Sequence, residues 1–138
     1  FVQRGIYEEF KKRLVEKVGK MKVMDPLHDE SKFGALVSRA HLEKVLSYIT
    51  IAKEEGGTIL CGGEVPEMPE ELAGGYYLLP TLIEGLPPSC RTNQEEIFGP
   101  VLICLQAVET RLNIPIPARF KLNWRLFDLN RISLVWTL

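Results

Sequence analysis

Two glycine pairs bracket four strand-forming residues: Gly56-Gly57, then Thr58-Ile59-Leu60-Cys61, then Gly62-Gly63. Glycine enters left-handed backbone at little steric cost, so such pairs stop a helix or a strand abruptly. Upstream, Leu42, Val45, Leu46 and Ile49 recur at helical spacing, which predicts a helix over 39–55 with Ser38 as its N-cap. A helix halted, followed at once by a short strand that is itself halted, commits the chain to alternating layers. An earlier stripe, Ile6, Phe10, Leu14, Val18 and Met21, predicts a helix over 6–21. Its Glu8 and Glu9 in the first turn, and Lys17, Lys20 and Lys22 at the end, suit the helix dipole. Strand signals stand at Phe1-Val2-Gln3, at Tyr76-Tyr77-Leu78-Leu79 and Thr81-Leu82-Ile83 around Pro80, and most strongly at Val101-Leu102-Ile103-Cys104-Leu105. Residues 23–37 and 85–94 read as loops rich in turn formers, and 64–75 as a polar surface insert. The fold class is α/β.

Charge and cysteine usage narrow the function classes. The 138 residues carry 17 basic and 18 acidic side chains, a net charge of -1, which gives no electrostatic case for nucleic acid or an anionic membrane surface. No apolar run approaches the roughly 20 residues of a membrane span. Cys61, Cys90 and Cys104 are an odd number with no CxxC pair, which argues against a disulfide scaffold and a zinc site and suits a reducing, cytoplasmic setting. No leader-like segment points to secretion. The chain opens at Phe1 directly in a strand-like run, as a piece of a larger protein would.

A composition break divides the chain. All 11 glycines precede residue 106, whereas both tryptophans, Trp124 and Trp136, follow it. From Glu109 onward there are five basic and two acidic residues, a reversal of the preceding balance. Leu126, Leu129 and Ile132 stand at helical spacing, but Ile114-Pro115-Ile116-Pro117 blocks a helix there. The expected organisation is therefore 1–105 as one unit and 106–138 as a tail of separate character.

Few residues carry chemistry. His28 and His41 are far apart, and no second ligand stands at metal-binding spacing, so no metal site is expected. Cys104 lies in an apolar strand run, and Cys61 and Cys90 have no base nearby in sequence, so none reads as an activated nucleophile. The sharpest local signal is Glu95-Glu96-Ile97-Phe98-Gly99-Pro100. If extended, it projects Glu96 and Phe98 to one side, a carboxylate able to hold a ribose diol beside a ring able to pack on a flat heterocycle. A solvated acidic pair before a core strand fits the same letters. His41 and Lys44 share a helix face and suit either a nucleotide's polar groups or an exposed flank.

The motif Glu95-Glu96-Ile97-Phe98-Gly99-Pro100 resembles the signature of the NAD(P)-dependent aldehyde dehydrogenases. Other segments stand in family order and spacing: Phe1-Val2-Gln3, Ile6-Tyr7-Glu8-Glu9-Phe10, Gly34-Ala35-Leu36-Val37-Ser38, Cys61-Gly62-Gly63 and Pro80-Thr81. Lys44-Val45, Tyr48-Ile49, the run from Ala52 to Gly57, and Gly75-Tyr76 do the same. The resemblance covers residues 1–105 and is similar in flavour to the 2-aminomuconic or hydroxymuconic semialdehyde subgroup.

The resemblance implies a partial aldehyde dehydrogenase catalytic domain, incomplete at both ends. In that family a cysteine thiolate attacks the aldehyde, hydride passes to NAD(P), and a glutamate-activated water hydrolyses the thioester. Family members are homo-oligomers acting on small aldehydes. The resemblance assigns Glu96 to the nicotinamide ribose, places Phe98 beside the nicotinamide, and sets His41 and Lys44 towards the adenosine end. His41 departs from the family's common glutamine. NAD is the implied cofactor, with NADP not excluded. The implied nucleophile precedes the segment matched by Phe1, so no catalytic residue is assigned in this chain, which is expected to be inactive alone. The alternatives are a non-catalytic partner of full-length subunits and a nonfunctional truncated product. The tail, 106–138, resembles nothing in the family and reads as sequence of separate origin.

Overall fold

A computed structural model of the chain describes residues 1–107. Its centre is a three-stranded mixed sheet of β4 (Thr58–Cys61), β5 (Thr81–Glu84) and β6 (Val101–Cys104). The middle strand β5 runs antiparallel to β4 and parallel to β6, with Thr81 opposite Val101 and Glu84 opposite Cys104. Alternation along these strands sends side chains to two different faces. Leu82, Cys104, Leu60 and Leu102 meet α1 (Tyr7–Gly19) through Tyr7, Leu14 and Val18. On the opposite face Ile83, Ile59, Val101 and Ile103 meet α2 (Arg39–Glu54) and the segments around it. The result is one helix on each side of the sheet, the α/β layering expected.

Smaller pairings complete the frame. β1 (Val2–Gln3) lies parallel to β7 (Gln106–Ala107), and Val2 N–H donates to the Leu105 carbonyl at 2.8 Å. β2 (Lys22–Val23) pairs with β3 (Ser31–Phe33) inside the stretch expected to be loop. No helix among the described residues is long and apolar enough to cross a membrane.

α2 starts as expected, with Ser38 in extended backbone and its hydroxyl accepting the His41 N–H at 3.2 Å. Gly56 follows its end at φ 90°, the left-handed conformation that glycine tolerates. Three details differ from the sequence reading. Ile6 sits in a 3-10 turn, Arg4–Ile6, and is exposed, while Tyr7 takes the buried place at the head of α1. The ring of Tyr7 reaches the core while its hydroxyl reaches a carboxylate, a combination isoleucine lacks. Residues 76–79 are buried or half-buried but form no strand, because their backbone groups go to separate partners: Leu36 N–H to the Tyr76 carbonyl, and Leu79 N–H to Glu64. Within 85–94 a short helix, α3 (Arg91–Gln94), replaces part of the expected loop. The expected tail starts at residue 106, but Gln106–Ala107 form β7 and pair with β1; the rest of it, with the Leu126, Leu129 and Ile132 stripe, lies outside the described residues.

Candidate functional site

The chain that enters β6 first crosses the N-terminal half of α2. Gly99 permits this approach: a Cβ there would stand 2.7 Å from Cγ2 of Val45, a core residue with no exposed surface. With the backbone pressed this close, three side chains on one face of α2 reach it. His41 Nε2 bonds the Phe98 carbonyl, Lys44 Nζ donates to the Glu96 carbonyl at 3.2 Å, and the Tyr48 hydroxyl donates to the Glu95 carboxylate. A carbonyl only accepts, so Nε2 of His41 carries the proton and Nδ1 remains available on its other side.

The segment itself is not uniformly extended. Glu95 has extended backbone, but Phe98 stands at φ 56°, the only non-glycine residue with positive φ among those described. Simple alternation therefore stops short of Phe98. Its left-handed turn aims the carbonyl at His41 and lays its ring against the imidazole, with centroids 5.7 Å apart and planes 23° from parallel. Phe98 nevertheless stays 55% exposed, an apolar side chain held in fixed geometry at the surface of the cleft.

His41, Glu95, Glu96, Phe98 and Gly99 line an open cleft of about 810 Å³ together with Leu36, Val37 and Ile103, whereas Lys44 and Tyr48 stand behind that lining. Glu95 and Glu96 behave differently within it. Glu95 accepts from Tyr48 and, through both oxygens, from Arg91 Nε at 2.9 Å; these bonds hold its carboxyl below the usual range. The same bond to Glu95 raises the Tyr48 hydroxyl. The Glu96 carboxylate has no hydrogen bond or ion pair among the described residues and is exposed at the cleft. Its two oxygens are free to accept a vicinal diol, and Lys44 retains two further N–H donors beside it.

The four residues singled out by sequence thus converge on one locus. His41 and Lys44 bond the Phe98 and Glu96 carbonyls directly. Sequence reasoning missed Tyr48, Arg91 and Glu55. Glu55, just past α2, accepts from Arg91 N–H at 2.7 Å, Thr92 N–H at 3.1 Å and the Thr92 hydroxyl, and the Thr92 hydroxyl bond leads the lowering of its carboxyl. It caps α3 from 36 residues away, a distance no local pattern spans.

Cys90 and Cys104 are buried and Cys61 is half-buried; burial pushes the Cys61 and Cys104 thiols up, away from the thiolate a nucleophile needs. No group of three metal-ligating side chains gathers among the described residues.

Comparison with known proteins places these features in context. The family model described as "Aldehyde dehydrogenase family" matches residues 1–112. A 2-aminomuconic semialdehyde dehydrogenase of Mus musculus is 50% identical over 103 residues, covering 73% of this chain and 21% of that protein. A betaine aldehyde dehydrogenase of Mesorhizobium japonicum is 43% identical over 106 residues, covering 77% of this chain and 22% of that one. The crystal structure of a betaine aldehyde dehydrogenase from Staphylococcus aureus in complex with NAD+ superposes with a TM-score of 0.73 at 35% identity, over 77% of this chain and 21% of that chain. The chain spans about a fifth of the length of the relatives it matches.

Proposed function

The chain belongs to the aldehyde dehydrogenase family, and on that premise we propose that residues 1–107 form one wall of the nicotinamide dinucleotide site of an enzyme that oxidises an aldehyde to a carboxylic acid. The observation that carries this reading is the unpartnered Glu96 carboxylate beside the fixed, exposed Phe98 ring at the mouth of the cleft. A ribose diol offers two O–H donors to one carboxylate, and a flat nicotinamide offers a face to an aromatic ring. NAD, when bound, supplies the hydride acceptor. The chain's own groups bind and orient: Glu96 receives the ribose, Phe98 supports the ring, and Lys44 and His41 flank them with a free ammonium face and a free Nδ1. That a relative was crystallised with NAD+ supports the choice of cofactor; NADP remains open to the same groups.

In this reading no residue of the chain attacks the substrate, because burial raises the thiols of Cys61 and Cys104 and sequesters Cys90. The identity to the mouse 2-aminomuconic semialdehyde dehydrogenase supports a place near that subgroup. The same reading keeps a family unit followed by a tail of separate origin, with the family match running past residue 105 to residue 112 and β7 joining Gln106–Ala107 to the folded unit. It also places the intact enzyme in the cytoplasm as a homo-oligomer.

Titration of NAD into the chain, followed by ligand-observed NMR, tests the site. Glu96→Gln should weaken binding by about 10- to 150-fold, as loss of a charge-assisted hydrogen bond of roughly 1.5–3 kcal/mol implies. Equal affinity in the variant would return Glu96 to a solvated surface acid. A second assay mixes the chain with NAD and aldehydes: turnover above a triple Cys→Ala control would overturn the absence of a nucleophile.

A further inference from the structure

Glu95 and Glu96 are adjacent acids with opposite fates, and the structure contains a device that sorts them. Three rungs on α2, His41, Lys44 and Tyr48, are spaced three and four residues apart and so share one face. They hold the Phe98 carbonyl, the Glu96 carbonyl and the Glu95 carboxylate in turn. At the lowest rung a second arm arrives: Arg91 bonds both Glu95 oxygens at 2.9 Å and lays its guanidinium 5.4 Å from the centre of the Tyr48 ring. Arg91 is itself fixed, because Glu55 at the other end of α2 caps the helix that carries it.

We infer that Tyr48, Arg91 and Glu95 act as a positioning clamp that sets which acid of the pair keeps a free carboxylate at the cleft, which both acids line, and holds the Glu96–Phe98 segment in its ligand-ready shape before any ligand arrives. Consecutive residues of extended backbone point to opposite sides, so anchoring Glu95 against α2 turns Glu96 outward. Phe98 persists in a backbone region disfavoured for non-glycine residues because its surroundings over-determine it: its carbonyl is bonded by His41, its ring rests on the imidazole, and Gly99 is wedged against Val45. A segment held this way spends no ordering entropy on binding. Neither Tyr48 nor Arg91 needs to touch the ligand; both act through Glu95. The inference rests on the proposed function only for the identity of the ligand, the dinucleotide.

The experiment uses the full chain and two independent readouts. The first is the ¹⁵N order parameter of Ile97 and Phe98 with the ring-proton shifts of His41, which report the stack on Phe98. The second is the NAD dissociation constant. Arg91→Ala and Glu95→Gln should lower the order parameters from about 0.85 towards 0.6, and move the His41 signals towards unstacked values. NAD should bind about tenfold more weakly if the competent population falls to a tenth. Tyr48→Phe, which keeps the ring and removes one bond, should give a smaller change in the same direction, and Arg91→Lys should recover part of the Arg91→Ala loss. Tyr7→Phe, a matched change on the opposite face of the sheet, should leave all of these signals alone.

Unchanged order parameters and His41 shifts in Arg91→Ala and Glu95→Gln would overturn the clamp. So would equal loosening by Tyr7→Phe, which would mark a general loss of packing. If the clamp variants release residues 96–98 while Glu96→Gln leaves NAD binding untouched, the clamp stands and the dinucleotide reading falls. If Glu96→Gln weakens NAD binding while the clamp variants alter neither readout, the clamp falls and the dinucleotide reading stands.

Discussion

The molecule uses one three-group device twice, on opposite faces of the same sheet. On the α1 face the Tyr7 hydroxyl donates to Glu84 at 3.0 Å, Lys11 pairs with Glu84 at 3.0 Å, and the ammonium stands 5.3 Å from the Tyr7 ring centre. On the α2 face Tyr48, Glu95 and Arg91 repeat the pattern of phenol, carboxylate and cation over the ring. Each ties a helix to a strand or strand-entry segment through a buried tyrosine. The α1 triad closes on itself: Glu84 is 23% exposed at its side chain and Glu95 42%. Burial is the first cause pushing Tyr7 up to about 12, whereas for Tyr48 the bond to Glu95 comes first. Only the α2 triad is followed in sequence by groups left unspent, the Glu96 carboxylate and the exposed Phe98 ring. Polar networks of the same composition therefore serve cohesion on one face and presentation on the other.

Cutting the strand that feeds both faces should produce the largest effect. Leu82→Ala and Ile83→Ala each remove a fully buried side chain and should cost about 2–5 kcal/mol in denaturant unfolding. Their local consequences should differ. Leu82 packs in the cluster of Tyr7, and Ile83 in the cluster of Cys90 at the entry to α3. Only the Ile83 variant should disturb the His41 ring signals. If alanine unfolds the chain, Ile83→Val at about 0.5–1.5 kcal/mol carries the same test. Disturbance of the His41 signals by Leu82→Ala would show the two faces to be coupled and would break the comparison.

Gly99→Ala comes next. The added methyl meets Val45 at 2.7 Å, and Val45 has no free space to retreat into. We expect a loss of about 1–3 kcal/mol, a broken His41–Phe98 stack, and partial recovery in the double variant with Val45→Ala. Thermal melts with His41 NMR shifts check this, and a wild-type stack in the single variant would show that the approach relaxes easily.

Both tyrosines are raised and add to the alkaline limb, and only the α2 triad brings a lowered carboxyl, Glu95, to the acid limb. The hydroxyl of Tyr7 is raised in the folded state, so its contribution is intact below its ordinary value of about 10 and lost as pH rises through about 12. Lys11, raised first by Glu8 and then by Glu84, adds to the alkaline loss. Glu95 is lowered in the folded state, so its contribution is present above the unfolded carboxylate range and lost as pH falls through its folded value. Tyr7→Phe should flatten part of the alkaline limb of midpoint against pH, and Glu95→Gln part of the acid limb. Glu55, Glu16 and Glu30, also lowered, retain the remainder of the acid dependence. Crossed effects, with Tyr7→Phe altering the acid limb, would undo the assignment.

The smallest effect on stability belongs to the residue with most at stake in function. Glu96→Gln should move the unfolding free energy by no more than about 0.5 kcal/mol, since its carboxylate holds nothing in place. A larger loss would reveal a structural partner and erase the contrast with Glu95.

The frame was largely legible from local pattern, because local physics builds it. Ser38, the stripe of α2 and the strand between the glycine pairs depend on residues within a turn or two of each other. What stayed hidden depends on distant pairing. Tyr7 falls outside the predicted α1 stripe, because its partners Glu84 and Cys104 lie 77 and 97 residues away. Tyr48 enters the sequence reading only as part of a family segment and Glu55 only as the end of a helix, because their partners Glu95, Arg91 and Thr92 lie far along the chain. Within the motif, Glu96 and Phe98 were identified as a pair by alternation. The turn that brings Phe98 to His41 arises from a left-handed conformation that nothing in a phenylalanine announces.

The pairing of β1 with β7 has a kinetic consequence. It joins Val2 to Gln106 and closes a loop containing nearly all of the described chain. Such closure carries a large entropic cost before its few hydrogen bonds return anything, so contacts of this separation form late in folding. Weakening the pair should leave the folding rate nearly unchanged and speed unfolding. The lifetime of the native state, more than the speed of reaching it, is written at the place where β1 meets β7.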